Sequence, residues 1–118
     1  MTMTIYHNPR CSKSRKTLEL IREAGVEPEI VLYLENTPSG DEIRELAGQL
    51  GVPVAALLRR GESEFKEADD LPDLEDDRAL AGWVTRHPIT LERPIVVDRG
   101  LGKAVLGRPP ENVSELLR

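Results

Sequence analysis

This 118-residue chain has a single cysteine, and aromatic residues make up only 3% of it. One cysteine excludes a disulfide framework within the chain. With so few aromatic side chains, the core must be built from leucine, valine, isoleucine and alanine. No run of about 18 apolar residues occurs, so no membrane-spanning helix is predicted. The first residues also lack the basic and then apolar layout of a signal peptide, so we expect a cytoplasmic protein.

Positive charge is in deficit, because 16 lysines and arginines stand against 21 aspartates and glutamates. The resulting net charge of −5 argues against general nucleic-acid binding, which needs a basic surface. The acids concentrate between Glu62 and Asp77. We interpret this segment as a solvated helical face, with an acidic contact surface for a partner as the alternative.

Motifs for metals and cofactors are also missing. The two histidines, His7 and His87, and the cysteine, Cys11, lack the spacing of zinc ligands, so we expect no metal site. No Ser-His-Asp pattern, P-loop or G-x-G-x-x-G motif is present. We therefore expect no bound cofactor.

The pattern of apolar residues predicts a β-α-β unit at the start of the chain. Residues 3–7 alternate as in a strand, and residues 30–34 form a continuous apolar run typical of a strand covered on both faces. Between them a helix begins at about Cys11 or Ser12, buries Leu18, Leu20, Ile21 and Ala24, and ends at Gly25. Such a unit implies a parallel pair of strands with a right-handed crossover.

The sequence pattern predicts only helices in the middle of the chain and strands again toward its end. The predicted helices begin at a Ser39–Glu42 capping box, at Pro53, near Phe65–Leu71, at Asp77 as a cap, and at Pro109-Pro110. Residues 95–97 and 103–106 predict a hairpin. The fold class is therefore α/β: one domain over residues 1–118, with a four-stranded mixed sheet (β-α-β … β-β-α) and a helical insertion of roughly residues 39–88.

The only cysteine lies in the densest positive cluster of the chain. Four basic residues fall between Arg10 and Lys16, around Cys11 at the predicted helix start. The helix dipole, the first helical amides and the flanking cations all favour thiolate over thiol. The same amides can hold an oxyanion. We interpret Cys11 as a nucleophile in an oxyanion cradle; the alternative is a small buried hydrophobic residue.

Three neighbours of Cys11 could support this chemistry. His7 either tunes the thiol and orients the loop or is structural. Ser12 and Ser14 can donate hydrogen bonds to an anion or thiolate, or cap the helix. Ser14 also stands where a second cysteine would complete a C-x-x-C pair. An oxidised or modified Cys11 therefore needs a thiol from outside the chain.

The stretch His7–Lys16 (HNPRCSKSRK) resembles the glutaredoxin-coupled arsenate reductase (ArsC) family. The resemblance continues through LYLEN at residues 32–36, LLRR at 57–60, ERPIVV at 92–97 and GRPP at 107–110. The family fold is thioredoxin-like with a helical insertion, which agrees with the predicted order of elements. It implies a cis peptide bond between Arg93 and Pro94.

The family chemistry implies that Cys11 attacks arsenate while Arg59, Arg93 and Arg108 hold its oxygens, a task that suits arginine. Glutathione, as co-substrate, then attacks the arsenic, and glutaredoxin completes the reduction to arsenite. Supporting positions that match the family are His7, Asn8, Ser14, Arg15 and Pro94. Without the resemblance, each of the three arginines would be interpreted as a surface residue.

Two other functions stay open at this point. One is a monothiol oxidoreductase acting on glutathione mixed disulfides, because Arg10 and Ser12-Lys13 differ from the small residue and Gly-Thr that flank the cysteine in established arsenate reductases. The other is a regulator of the Spx type, which shares this fold and binds RNA polymerase. Those regulators usually carry a C-x-x-C switch, which Ser14 interrupts here, and the three arginines favour oxyanion chemistry.

Overall fold

The fold is a four-stranded mixed sheet with a mainly helical segment between its second and third strands. The prediction of helices alone for this segment misses an isolated antiparallel bridge between Leu58 and Leu91. The computed structural model describes residues 2–117. The strands are β1 (Met3–His7), β2 (Glu29–Leu32), β3 (Ile95–Asp98) and β4 (Lys103–Leu106). The helices are α1 (Ser12–Glu23), α2 (Gly40–Leu50), α3 (Ser63–Lys66) and α4 (Asp77–Arg86). Short 3₁₀ helices cover Val54–Leu57, Pro88–Thr90 and Pro110–Leu116.

The topology of the sheet confirms the predicted order of elements. The strands lie in the order β2-β1-β3-β4. β1 and β2 are parallel, whereas β3 is antiparallel to both β1 and β4. No helix within residues 2–117 is long and apolar enough to cross a membrane.

The chain divides into two compact units. The sheet unit comprises the residues up to Asn36 and those from Arg93 onward, and the helical unit is Thr37–Glu92. The helical unit extends the predicted insertion by a few residues at each end. That residues 1–118 form one domain stays a prediction.

The core of the sheet unit lies between the sheet, α1 and the C-terminal 3₁₀ helix. Its buried cluster is entirely aliphatic apart from one methionine: Met3, Ile5, Leu18, Ile21, Val96, Val105, Val113 and Leu116. Leu18 and Ile21 are three residues apart and so share one face of α1. Ala24, predicted to be buried, is exposed because it follows the last helical turn as the C-cap.

β2 is an edge strand, which corrects the prediction of a strand covered on both faces. Among residues 2–117 it pairs only with β1, and its residues Glu29 and Ile30 are exposed. The apolar run continues past the strand into a turn, where Tyr33 is buried and Leu34 is 41% exposed. A short apolar run looks the same whether it forms a strand throughout or continues into a turn. Periodicity alone therefore could not show where the strand ends.

Capping residues fix the start and end of α2 as predicted. The hydroxyl of Ser39 accepts a hydrogen bond from the amide of Glu42 at 3.2 Å, and the Glu42 side chain accepts from the Ser39 amide. Gly51 ends the helix with φ of 73°, a conformation that favours glycine. This confirms the capping box read from the sequence.

Three other helical predictions need correction. Asp76 rather than Asp77 caps α4, since its carboxylate accepts from the Ala79 amide at 3.1 Å. Spacing could not choose between two adjacent aspartates. α3 is shorter and begins earlier than the turns predicted near Phe65–Leu71, and the C-terminal helix is a 3₁₀ helix. Both are short segments, in which 3₁₀ geometry and fraying are common.

Candidate functional site

The antiparallel register of β3 gathers most of the predicted site residues at one end of the sheet. β3 pairs with β1 on one side and β4 on the other, so it begins where both of them end. Arg93 and Pro94 immediately precede β3, while Gly107 and Arg108 follow β4. The turn Asn8–Cys11 follows β1. The amide of Gly107 donates to the carbonyl of Pro94 at 2.9 Å, which continues the sheet pairing into this end.

Asn8 shapes the turn that presents Cys11. The Asn8 carbonyl accepts from the Cys11 amide at 3.0 Å, and its side-chain oxygen accepts from the Arg10 amide at 3.0 Å. Asn8 itself is buried, whereas Cys11 is partly exposed. The thiol is therefore carried on a turn with a fixed backbone and is accessible to a ligand.

Cys11 is the N-cap residue of α1, which begins at Ser12, in agreement with the predicted start at about Cys11 or Ser12. The first helical hydrogen bond runs from the Arg15 amide to the Cys11 carbonyl at 3.0 Å. The amides of residues 12–14 come before that bond, and such amides are suited to an anion. No acidic residue lies in the first turn of α1. This arrangement can accept an oxyanion next to a nucleophile.

His7 and Ser14 form a buried pair behind the turn. The Nδ1 atom of His7 lies 2.5 Å from the Ser14 hydroxyl oxygen, and the two residues are 6% and 0% exposed. The hydroxyl also accepts from the Asn8 amide at 3.1 Å, so its own hydrogen can be donated to Nδ1 of a neutral ring. Ser14 thus supports His7 and the turn rather than capping α1.

Burial lowers the pKa of His7, and the positive charges of Arg22 and Arg15 lower it further. A neutral ring is therefore favoured near pH 7. Arg15 is exposed, and its Nη1 donates to the Pro9 carbonyl at 2.9 Å. The predicted supporting residues His7, Asn8, Ser14 and Arg15 are thus all engaged in holding the turn or its surroundings.

The stability of the fold should decrease as the pH falls below about 6.5, the ordinary pKa of histidine. Because the pKa of folded His7 is lowered, the unfolded chain binds this proton at a higher pH than the folded chain does. The contribution of neutral His7 is complete above about pH 6.5 and is lost as the pH drops toward the folded pKa. Thermal unfolding of the wild type and His7→Gln between about pH 7.5 and about pH 5 measures this.

The His7→Gln variant should show a weaker dependence on pH in that interval, whereas His87→Gln should keep the His7 contribution. Equal pH dependence in the wild type and His7→Gln would contradict the expectation.

Arg93 and Arg108 lie together on the sheet unit. The Nη1 atom of Arg108 donates to the carbonyl of Arg93 at 3.3 Å. Arg93 is 8% exposed and Arg108 is half-buried. The Arg93–Pro94 peptide bond is cis, as predicted, and so is Arg108–Pro109, which sequence analysis missed. Two of the three predicted oxyanion-binding residues are therefore neighbours.

Arg59 belongs to the helical unit and lies between two carboxylates. Its Nη1 is 3.3 Å from Glu62 and its Nε is 3.3 Å from Glu92. Its side chain is 27% exposed. The Arg59 amide donates to the Thr90 carbonyl at 2.6 Å, which fixes the backbone. The function of Arg59 as a third oxyanion-binding residue stays a prediction.

Gly107 is a site residue that the sequence analysis did not single out. A Cβ atom there would lie 2.6 Å from Thr17 Oγ1 and 2.7 Å from Pro94 Cγ. Thr17 is fully buried in α1. Glycine thus lets the end of β4 approach both α1 and Pro94, directly before Arg108. Its place in the GRPP stretch was the available signal.

Gly107→Ala should destabilise the protein by about 1–3 kcal/mol, since the new methyl group overlaps buried atoms on two sides. Gly48→Ala provides the matched control. Gly48 lies within α2, and nothing is within 4 Å of its Cβ position. That change should stabilise by about 0.5–1 kcal/mol, because alanine is the better helix former. Urea unfolding measures both, and effects of the same sign would refute the close-approach argument.

Among the described residues, 2–117, no group of three or more His, Cys, Asp or Glu side chains could hold a metal ion. The groups gathered at this end of the sheet are a thiol, backbone amides and guanidinium groups.

Comparisons with known proteins agree on one family. Residues 6–116 match the model of the ArsC family. An arsenate reductase of Escherichia coli is 46% identical over 116 residues, which cover 98% of this chain and 81% of that protein. The uncharacterized protein YfgD of Escherichia coli (strain K12) is 47% identical over 114 residues, with coverage of 96% and 94%. The solved arsenate reductase of Vibrio cholerae superposes with a TM-score of 0.86 at 44% identity, covering 98% and 97%.

Proposed function

The chain belongs to the ArsC family, and on that premise we propose that it reduces arsenate to arsenite through the thiolate of Cys11. The observation that carries the proposal is the setting of Cys11: an accessible N-cap thiol on the turn after β1, at the end of the sheet where Arg93 and Arg108 lie together. The arsenate reductases among its relatives support the same activity.

In this proposal the arsenate oxygens are held by arginines and helical amides. Arg93 and Arg108 supply guanidinium groups, which match a tetrahedral oxyanion through paired N–H donors. The amides of residues 12–14 add neutral donors beside the thiol. Arg59 is included on the resemblance to the family alone. Pro94, His7, Asn8, Ser14 and Arg15 position the loops that carry these groups.

The proposed reaction begins with attack of the Cys11 thiolate on arsenic. A sulfur–arsenic bond forms, and one arsenate oxygen leaves as water after protonation. Glutathione then attacks the arsenic, and a second oxygen leaves as water. A glutaredoxin thiol attacks the glutathione sulfur, the bond between that sulfur and arsenic breaks, and its electron pair reduces the arsenic. Water then cleaves the bond between arsenic and Cys11, which releases arsenite and the free thiol. Overall, two thiols become one disulfide, arsenic(V) gains their two electrons and becomes arsenic(III), and the product is arsenite.

Ser14 is the reason for proposing an external reductant. It occupies the place of the second cysteine in a C-x-x-C pair, and Cys11 is the only cysteine. A disulfide on Cys11 must therefore be exchanged with a thiol from another molecule. The proposal therefore includes glutathione as co-substrate and glutaredoxin as protein partner. It also includes a cytoplasmic location, where glutathione keeps thiols reduced.

A coupled assay tests the proposal directly. Arsenate, glutathione, glutaredoxin, glutathione reductase and NADPH are combined with the wild-type protein, and NADPH consumption is followed. We expect consumption that depends on arsenate and on glutaredoxin. No arsenate-dependent consumption would refute the proposal. In that case, turnover of a glutathione mixed disulfide would support the monothiol oxidoreductase instead.

A further inference from the structure

A cleft of about 360 Å³ opens beside the turn that carries Cys11. It lies at the carboxyl ends of the parallel strands β1 and β2, where ligands commonly bind in sheets of this kind. Its volume is near the lower limit of about 300–1,000 Å³ that is usual for small-molecule sites. The walls come from two segments of the sheet unit: His7, Asn8, Pro9 and Arg10 on one side, and Leu32, Leu34 and Glu35 on the other.

The two charged residues of the cleft, Arg10 and Glu35, lie on different walls. Arg10 and Glu35 are both exposed. Within residues 2–117, neither the Arg10 guanidinium nor the Glu35 carboxylate has a hydrogen-bond or ion-pair partner; the contact of Arg10 with Asn8 is through its backbone amide. A ligand with both a carboxylate and an ammonium group can therefore meet both charges without breaking an existing pair.

Apolar surface lies between the two charges. Leu34 is 41% exposed, and Leu32 is half-buried at the end of β2. A bare inorganic oxyanion would gain nothing from these side chains, whereas the methylene groups of a small peptide would bury against them. The side-chain amide oxygen of Asn8 already accepts from the Arg10 amide, so the wall near Cys11 is fixed in place.

We propose that this cleft binds glutathione, with a carboxylate at Arg10, the ammonium group at Glu35 and methylene groups on Leu32 and Leu34. The inference rests on the proposed function and gives its co-substrate a site. Arg10 is the residue next to Cys11, and adjacent Cα atoms are about 3.8 Å apart. An extended tripeptide spans about 10 Å. Its thiol can therefore reach Cys11 while its charged ends stay in the cleft.

A titration with S-methylglutathione separates this inference from the proposed function, since binding of this analogue needs no turnover. Amide signals of the ¹⁵N-labelled wild-type protein are followed by NMR. We expect saturable shifts at Asn8, Arg10 and residues 32–35. Arg10→Ala and Glu35→Ala should each raise the Kd by about 3- to 10-fold, the loss of one charged contact. Arg78→Ala and Glu115→Ala, both exposed and outside the cleft, should leave the Kd unchanged.

Shifts that map elsewhere, or an unchanged Kd in both cleft variants, would overturn the inference. Steady-state kinetics give a second measurement. Glu35→Ala should raise the KM for glutathione by a similar factor and leave the KM for arsenate unchanged. With 2-mercaptoethanol, which carries neither charge, Glu35→Ala should match the wild type.

The two proposals fail in different ways. Turnover of arsenate by a Glu35→Ala variant that keeps the wild-type KM for glutathione would overturn the cleft as the co-substrate site. An effect on the KM for glutaredoxin alone would also overturn it. Binding of S-methylglutathione in the cleft without any arsenate turnover would support the site and refute the proposed function.

Discussion

Cys11→Ser should abolish arsenate reduction, with a loss of at least about 10³-fold in kcat, the scale on which removal of a nucleophile acts. Cys11 is the only thiol in the chain, so no other residue can form the sulfur–arsenic bond. The substitution exchanges one atom at a partly exposed N-cap position, where serine is a favoured residue. The coupled assay gives the activity, and thermal unfolding should show wild-type stability or better.

Ser114→Ala, an exposed position in the C-terminal 3₁₀ helix, controls for preparation and handling. Residual arsenate turnover in Cys11→Ser within tenfold of the wild type would refute a nucleophilic thiol. Loss of activity together with loss of the folded state would show only that Cys11 is structural, the alternative raised by its sequence.

Arg108→Ala should lower kcat/KM for arsenate by about 10²- to 10³-fold, as expected when a donor to a developing oxyanion is removed. Arg108 is half-buried, and its Nη1 donates a 3.3 Å hydrogen bond to the Arg93 carbonyl. Arg108→Lys should recover only part of the activity, because lysine keeps the charge but loses the paired donors.

Arg78→Ala is the matched control, since Arg78 is an exposed arginine of α4. It should leave arsenate kinetics unchanged. If Arg108→Ala and Arg78→Ala behave alike, Arg108 is a surface residue without a role in catalysis, as the sequence without the resemblance would suggest. Arg93 is less suitable for this test because it is 8% exposed and its removal would disturb packing.

Local signals in the sequence predicted much of the fold. Alternation predicted β1, and two short apolar segments around a glycine-containing turn predicted the β3–β4 hairpin. Capping residues predicted the start of α2, and a glycine predicted its end. These signals act within a few residues and do not depend on distant contacts. The predictions were wrong where one local signal fits two structures. An apolar run fits both a covered strand and an edge strand, and either of two adjacent aspartates can cap α4.

In the candidate site, too, the local features could be predicted from the sequence and the distant contacts could not. The position of Cys11 at a helix start followed from the sequence, because a basic cluster and a helix boundary are local features. The three arginines entered through resemblance, since nothing in their own surroundings distinguishes them from surface residues. The structure places Arg93 beside Arg108, whereas Arg59 lies between Glu62 and Glu92 in the helical unit.

The sequence by itself determined that a lone thiol stands at the start of a helix and that any partner thiol must come from another molecule. Only the tertiary structure decided that Ser14 pairs with His7, that Gly107 must be small, and that a cleft lies between Arg10 and Glu35. Strand register decides which distant segments meet, and side-chain packing decides how closely they approach. Both are properties of contacts between residues far apart in the chain, which local spacing cannot encode.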